Sequence, residues 1–170
     1  GAGQGESHLA VITLGTGIGG AVLTEGRLQR GRHGLAGEFG HQQMVPGGRP
    51  CECGHDGCWE QYVSGSVVGR AGQQLVRDGG TAASALAEMC GGDPARLTGE
   101  HVTRAARAGD PASVGILAQV GQRLGEGLAG VVAASHVASA IVGTREAVLI
   151  EWIDRNITNT TFGLWRMPTP

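Results

Sequence analysis

The sequence predicts a mixed fold of helices and sheet, of the α/β or α+β class. Residues 8–14 (HLAVITL) form a short, β-branched apolar run followed by glycine, which is typical of a buried strand. Further along, one apolar stripe recurs at helical spacing and consists of Leu117, Val120, Leu124, Leu128 and Val131. Because a helix with such a stripe must bury it against another layer, strand and helix are expected to share one core.

Length and composition restrict the class of protein further. The chain has 170 residues, 41% of them apolar, which is enough for one domain with a real core. A net charge of -2 gives no electrostatic reason to expect nucleic acid or an anionic membrane as a partner. No apolar run has the length of a membrane span, and the first residues lack the pattern of a signal peptide. These features predict a soluble, cytoplasmic protein.

The first half of the chain has the rhythm of a β-hairpin. After the strand at 8–14, the segment GTGIGG (15–20) leads into AVLT (21–24), and the turn EGR leads into a third short strand. A loop over 31–37 precedes EFGHQQMVP, and a Gly-, Pro- and Cys-rich loop then covers 47–58. No βαβ unit is predicted in this half.

The second half shows helical periodicity. Helices are predicted over residues 59–65, from 66 to 76, over 83–89 and over 100–108. Thr98 is the predicted N-cap of the last of these. Asp110 and Pro111 begin the long helix that carries the apolar stripe, because proline is favoured in a first turn. Gly121 and Gly125 lie beside that stripe, where a neighbouring element is expected to approach closely.

The composition changes from about residue 150 onward. The segment IEWIDRNITNTTFGLWRMPTP holds both Asn residues and two of the three Trp residues of the chain. Such a shift marks a linker, a tail, or a frameshifted or vector-derived end. We therefore expect a core over 1–149 and an atypical tail, altered or non-native, over 150–170.

A metal-binding motif of the form H-x9-C-x-C-G-x2-G-C runs from His41 to Cys58. Imidazole and thiolate are ligands that tetrahedral Zn²⁺ prefers, and three cysteines with one histidine leave no open position. The predicted ligands are therefore His41, Cys51, Cys53 and Cys58, and the predicted zinc is structural, not hydrolytic. The alternative is a disulfide with stray thiols, which the closeness of Cys51 to Cys53 and a reducing cytosol both disfavour.

The glycine-rich segment GTGIGG separates the first two predicted strands. Successive glycines expose backbone N–H groups that can hold phosphate oxygens, and Thr16 adds a hydroxyl donor. The segment lacks the Lys and Ser/Thr of a P-loop, and it precedes a strand instead of the helix of a dinucleotide fingerprint. These residues alone therefore favour an ordinary tight turn.

Acidic residues lie on both sides of the predicted metal loop. Glu38 stands three residues before His41, and Glu60 stands two residues after Cys58. A metal in the loop would hold both carboxylates in one neighbourhood, where they and the imidazole suit the hydroxyls of a sugar. Taken singly, Glu38 is typical of a solvated surface acid, and Glu60 of an acid in the first turn of a helix.

Together these motifs resemble the ROK family (repressors, open reading frames and sugar kinases), most closely its bacterial glucokinases. GTGIGG, GEFGH and CECGHDGCWE stand in the family's order and at its spacing. The resemblance runs from about residue 8 to 76 and fades by about residue 134. It implies an α/β fold of the actin-like ATPase (ribonuclease H-like) type, with 1–149 as the core of the large lobe and 41–58 as its zinc loop.

The resemblance also implies an activity and its ligands. The activity is ATP-dependent phosphorylation of the primary hydroxyl of a hexose, with glucose as the default and N-acetylmannosamine and fructose as alternatives. The implied hexose ligands are Glu38, His41 and Glu60, and the implied ATP-phosphate ligands are Gly15, Thr16, Gly17 and Gly19. His41 would serve both zinc and sugar. ATP, Mg²⁺ and structural zinc are the implied cofactors, and a homodimer or homotetramer is the implied assembly.

Two features depart from the family pattern. The catalytic Asp is expected upstream of Gly1, so no catalytic residue is predicted in this chain, and these residues alone are expected to be inactive. In the family, a strand that ends in glycines backs the adenosine. Its nearest candidate here is AIVGTREAV, with the single Gly143.

The alternative function is a sugar-responsive ROK repressor with an N-terminal helix-turn-helix. The intact GTGIGG and the complete set of sugar ligands favour the kinase.

Overall fold

One mixed sheet and a layer of helices make up the part of the chain that the computed structural model describes, residues 3–137 and 139–144. The strands are β1 (Leu9–Leu14), β2 (Ile18–Thr24), β3 (Arg27–Leu28) and β4 (Ser139–Thr144). The helices are α1 (Gly65–Asp78), α2 (Ser84–Met89), α3 (Gly99–Arg107) and α4 (Pro111–Ser135). Four 3₁₀ turns connect them within these residues, at Phe39–His41, Trp59–Gln61, Thr81–Ala83 and Pro94–Arg96.

The sheet has the order β3-β2-β1-β4. β1 and β2 are antiparallel, with Leu14 opposite Ile18, and β4 runs parallel to β1. The predicted hairpin is therefore confirmed, but β2 begins at Ile18, three residues before the predicted strand at 21–24. This leaves only residues 15–17 for the turn. Gly143, the single glycine of the candidate adenosine strand, lies in β4 opposite Thr13.

Helix α4 packs its apolar stripe into the core, as predicted. All five side chains of the stripe are buried: Leu117, Val120, Leu124, Leu128 and Val131. The helix contacts β1 and β4 as well as α1 and α3. Asp110 caps its N-terminus by accepting a hydrogen bond from the Ser113 amide at 2.8 Å, and Pro111 occupies the first turn.

The predicted helix over 59–65 is wrong. Only one 3₁₀ turn, Trp59–Gln61, forms there. Ser64 adopts an extended conformation as the N-cap of α1, and its hydroxyl accepts a hydrogen bond from the Val67 amide at 3.3 Å. A residue with that backbone geometry interrupts any helix that would continue through it, so α1 begins afresh at Gly65.

Helix α4 packs closely against another element at Gly127, a position not predicted. A Cβ atom at Gly127 would overlap the indole ring of Trp59.

Thr98 is the N-cap of α3, as predicted, and His101 Nδ1 accepts a hydrogen bond from the Thr98 amide at 3.1 Å. The tail predicted over 150–170 lies outside the described residues. Among the helices that the structure describes, none is long and apolar enough to cross a membrane.

Candidate functional site

The four predicted metal ligands come together in space. The imidazole of His41 and the thiols of Cys51, Cys53 and Cys58 place ligand atoms within 4.8 Å of one another. Cys53 Sγ lies 3.5 Å from Cys58 Sγ, and Cys51 Sγ lies 3.6 Å from His41 Nδ1. A tetrahedral zinc with ligands at about 2.3 Å sets them roughly 3.8 Å apart, so the donor set fits that ion. All four cysteines of the chain are free, so the predicted alternative of a disulfide is not found.

Backbone hydrogen bonds bring the ligands together. The Cys51 amide donates to His55 O at 2.9 Å, and the Gly54 amide donates to Cys51 O at 3.0 Å, which closes a tight turn around Cys53. Gly54 and Gly57 have φ values of 89° and 76°, a region that favours glycine. The chain can therefore reverse direction twice within this short loop and return the third thiol to the cluster.

The cluster has two buried thiols, Cys51 and Cys58, and one exposed thiol, Cys53. Burial, reinforced by hydrogen bonds to the neighbouring thiols, raises the pKa of Cys58 to about 12. The backbone amide of His55 lowers the pKa of the exposed Cys53 thiol. Because a metal binds thiolates, an ion held here must displace the proton of Cys58.

Two of the three predicted sugar ligands are in contact. Glu60 Oε1 lies 3.7 Å from His41 Nδ1 and 3.5 Å from Cys51 Sγ. The Glu60 side chain retains 19% exposure and the His41 side chain 37%, so both groups remain accessible to a small ligand. A carboxylate and an imidazole held side by side, half-buried at the edge of the metal cluster, can bind neighbouring hydroxyl groups.

Glu38, the third predicted sugar ligand, lies at the start of the same 3₁₀ turn as His41. Its carbonyl accepts a hydrogen bond from the His41 amide at 3.1 Å, and the residue is exposed. The segment before it rests on β2, where a Cβ atom at Gly20 would lie 2.7 Å from Gly37 O. The structure thus places Glu38 one turn from His41, without a side-chain hydrogen bond to another described residue.

The glycine turn between β1 and β2 is braced against the start of α1. Gly15 O accepts a hydrogen bond from the Gly65 amide at 2.9 Å, and the Ser66 hydroxyl donates to Thr16 O at 3.1 Å. Among residues 3–137 and 139–144, the amides of Thr16 and Gly17 have no protein acceptor. Gly19, the fourth predicted phosphate ligand, lies in β2 outside the turn. The turn therefore offers two free donors.

A cavity of about 780 Å³ opens beside this turn. Gly15 and Thr16 line it together with the N-terminal ends of α1 and α3, including Gly65, Ser66 and Gly99. The first amides of a helix lack intrahelical acceptors and carry a partial positive charge. The cavity therefore combines the turn with two helix ends, a combination suited to an anionic ligand.

Two residues that flank the predicted sugar ligands make contacts that the sequence analysis missed. Gln42 Nε2 donates to Gly127 O at 3.2 Å, and Trp59 Nε1 donates to Arg123 O at 2.9 Å. Both acceptors are carbonyls of α4. The Trp59 amide also donates to Gln42 O at 2.9 Å, which joins the two segments. The only sequence signal was a tryptophan next to Glu60, because neither contact has a local pattern.

Comparison with known proteins places these features in a family. A model of the ROK family matches residues 1–151. Glucokinase from Streptomyces coelicolor is 39% identical over 143 residues, which are 84% of this chain and 45% of that protein. The crystal structure of a ROK family glucokinase from Streptomyces griseus, in complex with glucose and AMPPNP, matches with a TM-score of 0.85 and 36% identity, over 99% of this chain and 55% of that one.

A regulator shares the same fold. The crystal structure of a ROK family transcriptional regulator, a homologue of the Escherichia coli MLC protein, matches with a TM-score of 0.71 and 26% identity. It covers 89% of this chain and 38% of the regulator. The chain spans about half the length of the glucokinases that it matches. Their structures have the actin-like ATPase fold that the resemblance implied, and the chain, which the family model matches over residues 1–151, belongs to the ROK family.

Proposed function

We propose that the protein carrying this chain phosphorylates a hexose with ATP, and that glucose and glucose 6-phosphate are its substrate and product. The observation that carries the proposal is the contact between Glu60 and His41 at the edge of the Cys and His cluster. The likeness to a glucokinase that binds glucose and AMPPNP supports it.

In this proposal, Glu38, His41 and Glu60 bind the ring hydroxyls of the sugar. Carboxylates accept hydrogen bonds from hydroxyl groups, and several such bonds together fix the orientation of the ring. Orientation matters because phosphoryl transfer depends mainly on positioning the acceptor hydroxyl and on stabilising charge. The half-buried position of Glu60 supports this role, because a purely solvated acid would not be held against an imidazole and a thiol.

The turn at Gly15, Thr16 and Gly17 is proposed to hold the phosphates of ATP, with Gly19 supporting it from β2. The free amides of the turn and the cavity beside it support this assignment. ATP would supply the phosphoryl group, and Mg²⁺, a hard cation that binds phosphate oxygens, would accompany it.

A structural zinc is proposed for His41, Cys51, Cys53 and Cys58, whose donor set and spacing fit it. The ion would hold the loop closed and thereby hold His41 next to Glu60. A cytoplasmic location belongs to the proposal, because the three thiols must remain reduced to bind the metal. A homodimer or homotetramer is proposed from the family resemblance alone.

A sugar-responsive repressor is the second candidate, and the likeness to a ROK transcriptional regulator favours it. An assay of catalytic turnover distinguishes the kinase from the repressor. We expect the complete protein, in the presence of Mg²⁺, to convert glucose and ATP into glucose 6-phosphate and ADP in equal amounts, and AMPPNP to support no transfer. Sequence-specific DNA binding without turnover would identify the repressor instead and contradict the proposed kinase.

The sugar site predicts a loss of affinity when either acid becomes an amide. Glu60→Gln and Glu38→Gln should each weaken glucose binding by roughly ten- to a hundredfold, because a hydrogen bond to a charged acceptor is replaced by a neutral one. Calorimetric titration measures this effect, and zinc content should not change. Glu52→Gln is the matched control, because Glu52 is an exposed acid in the same loop. Wild-type affinity in both test variants would exclude these acids as sugar ligands.

A further inference from the structure

The two carboxylate oxygens of Glu60 face different parts of the protein. Oε1 lies near His41 Nδ1 and Cys51 Sγ, on the side of the metal cluster. Oε2 points the other way, toward the turn between β1 and β2. A Cβ atom at Gly17 would lie 2.8 Å from this oxygen, and a Cβ atom at Gly40 would lie 3.3 Å from it. Glu60 therefore bridges the loop of the proposed sugar site and the turn proposed for ATP.

Gly17 provides room for this carboxylate. Its φ lies outside the positive range that side chains rarely adopt, so its backbone conformation does not require glycine. Among the described residues, the Glu60 carboxyl group is the only neighbour within 4 Å of a Cβ atom built at Gly17. Gly40 differs, because its Cβ atom would also lie 2.6 Å from the backbone oxygen of Ile18. The absence of a side chain at Gly17 therefore leaves room for the Glu60 carboxylate and for no other described group.

We propose that Gly17 is a positioning residue of the sugar site, in addition to its place in the turn proposed for ATP. The inference rests on the proposed function, because it takes Glu60 to be a sugar ligand. A methyl group at Gly17 would occupy the space of Glu60 Oε2 and turn the carboxylate away from its place beside His41. The turn proposed for ATP would therefore determine the direction in which the Glu60 carboxylate points.

Gly17→Ala is expected to weaken glucose binding by roughly tenfold in the absence of nucleotide, which is the loss expected when a charged hydrogen-bond acceptor is displaced. The variant should fold, because Gly17 is only half-buried and its neighbour is the end of a flexible side chain. Zinc content and melting temperature of the purified protein check this expectation. Gly115→Ala is the matched control for glucose affinity, because Gly115 is also half-buried and a Cβ atom there would meet no other described residue within 4 Å.

A double-mutant cycle tests whether Gly17 acts through Glu60. Glucose is titrated into the wild type, Gly17→Ala, Glu60→Gln and the double variant. If Gly17 positions Glu60, the double variant should lose clearly less affinity than the product of the two single losses. Fully multiplicative losses, or a Gly17→Ala protein that binds glucose like the wild type, would overturn the inference while leaving the proposed function standing. A wild type that binds no glucose would overturn both.

Discussion

Replacing His41 with alanine is expected to abolish stoichiometric zinc binding and to weaken glucose binding by roughly a hundredfold or more. His41 supplies one of the four clustered ligand atoms and is also the partner of Glu60 at 3.7 Å. If both proposals hold, one substitution removes a metal ligand, a sugar ligand and the group next to which Glu60 is held. The binding energy of a structural zinc is also folding energy, so the melting temperature should fall as well.

Elemental analysis, thermal unfolding and glucose titration measure these three losses on one preparation. His55→Ala is the matched control, because His55 is an exposed histidine of the same loop, 3.5 Å from Cys53 Sγ but outside the four-residue cluster. The wild type should hold about one zinc per chain, and a chelator that strips it should lower melting temperature and glucose affinity together. Equal zinc content in His41→Ala and the wild type would contradict the assignment of His41 as a ligand.

Replacing Gly127 with alanine is expected to lower the free energy of unfolding by about 1–3 kcal/mol, the usual cost of overpacking a core. The new Cβ atom would overlap the ring of Trp59, which is fully buried and donates a hydrogen bond to Arg123 O. A glycine-to-alanine change inside a helix otherwise stabilises it by about 1 kcal/mol. A net loss therefore reports the contact with Trp59 and not the helix propensity.

Urea unfolding of the purified protein measures the effect. Gly130→Ala is the matched control, because Gly130 is exposed and lies three residues further along α4. Among the described residues, a Cβ atom there would meet only Gln42 Oε1, at 3.4 Å. Since Trp59 immediately precedes Glu60, the Gly127 variant should also bind glucose more weakly. If Gly127→Ala is as stable as Gly130→Ala, the packing of Trp59 against α4 does not anchor this site.

Much of the fold could be predicted from the sequence, because the features concerned are local. The spacing from His41 to Cys58 constrains four ligands within one short loop, and the structure brings those side chains together. The apolar stripe of α4 follows from helical period alone, and Asp110 caps the helix through a contact three residues away. The hairpin of β1 and β2 needs only two apolar runs and a glycine turn between them.

Local patterns also misled where two local preferences competed. The periodicity of the run WEQYVSG predicts a short helix, but Ser64 lies within it and caps the next helix, so only the turn Trp59–Gln61 forms. The glycines of GTGIGG appeared equivalent in the sequence. In the structure Gly17 lies in the turn and Gly19 lies in β2, because strand pairing already begins at Ile18.

By itself, the sequence predicted which residues would bind metal, phosphate and sugar, because each set stands in a short motif, and it determined the local elements: the hairpin, the caps and the apolar stripe of α4. Only the tertiary structure decided how these motifs meet. Glu60 rests on Gly17, which lies 43 residues earlier, and Trp59 packs on Gly127, which lies 68 residues later. Neither contact leaves a periodic signal, because a glycine that makes room for a distant side chain looks like any other glycine in the sequence. The physical reason is that such a contact depends on the space between elements, which is defined only when the sheet and α4 are packed together.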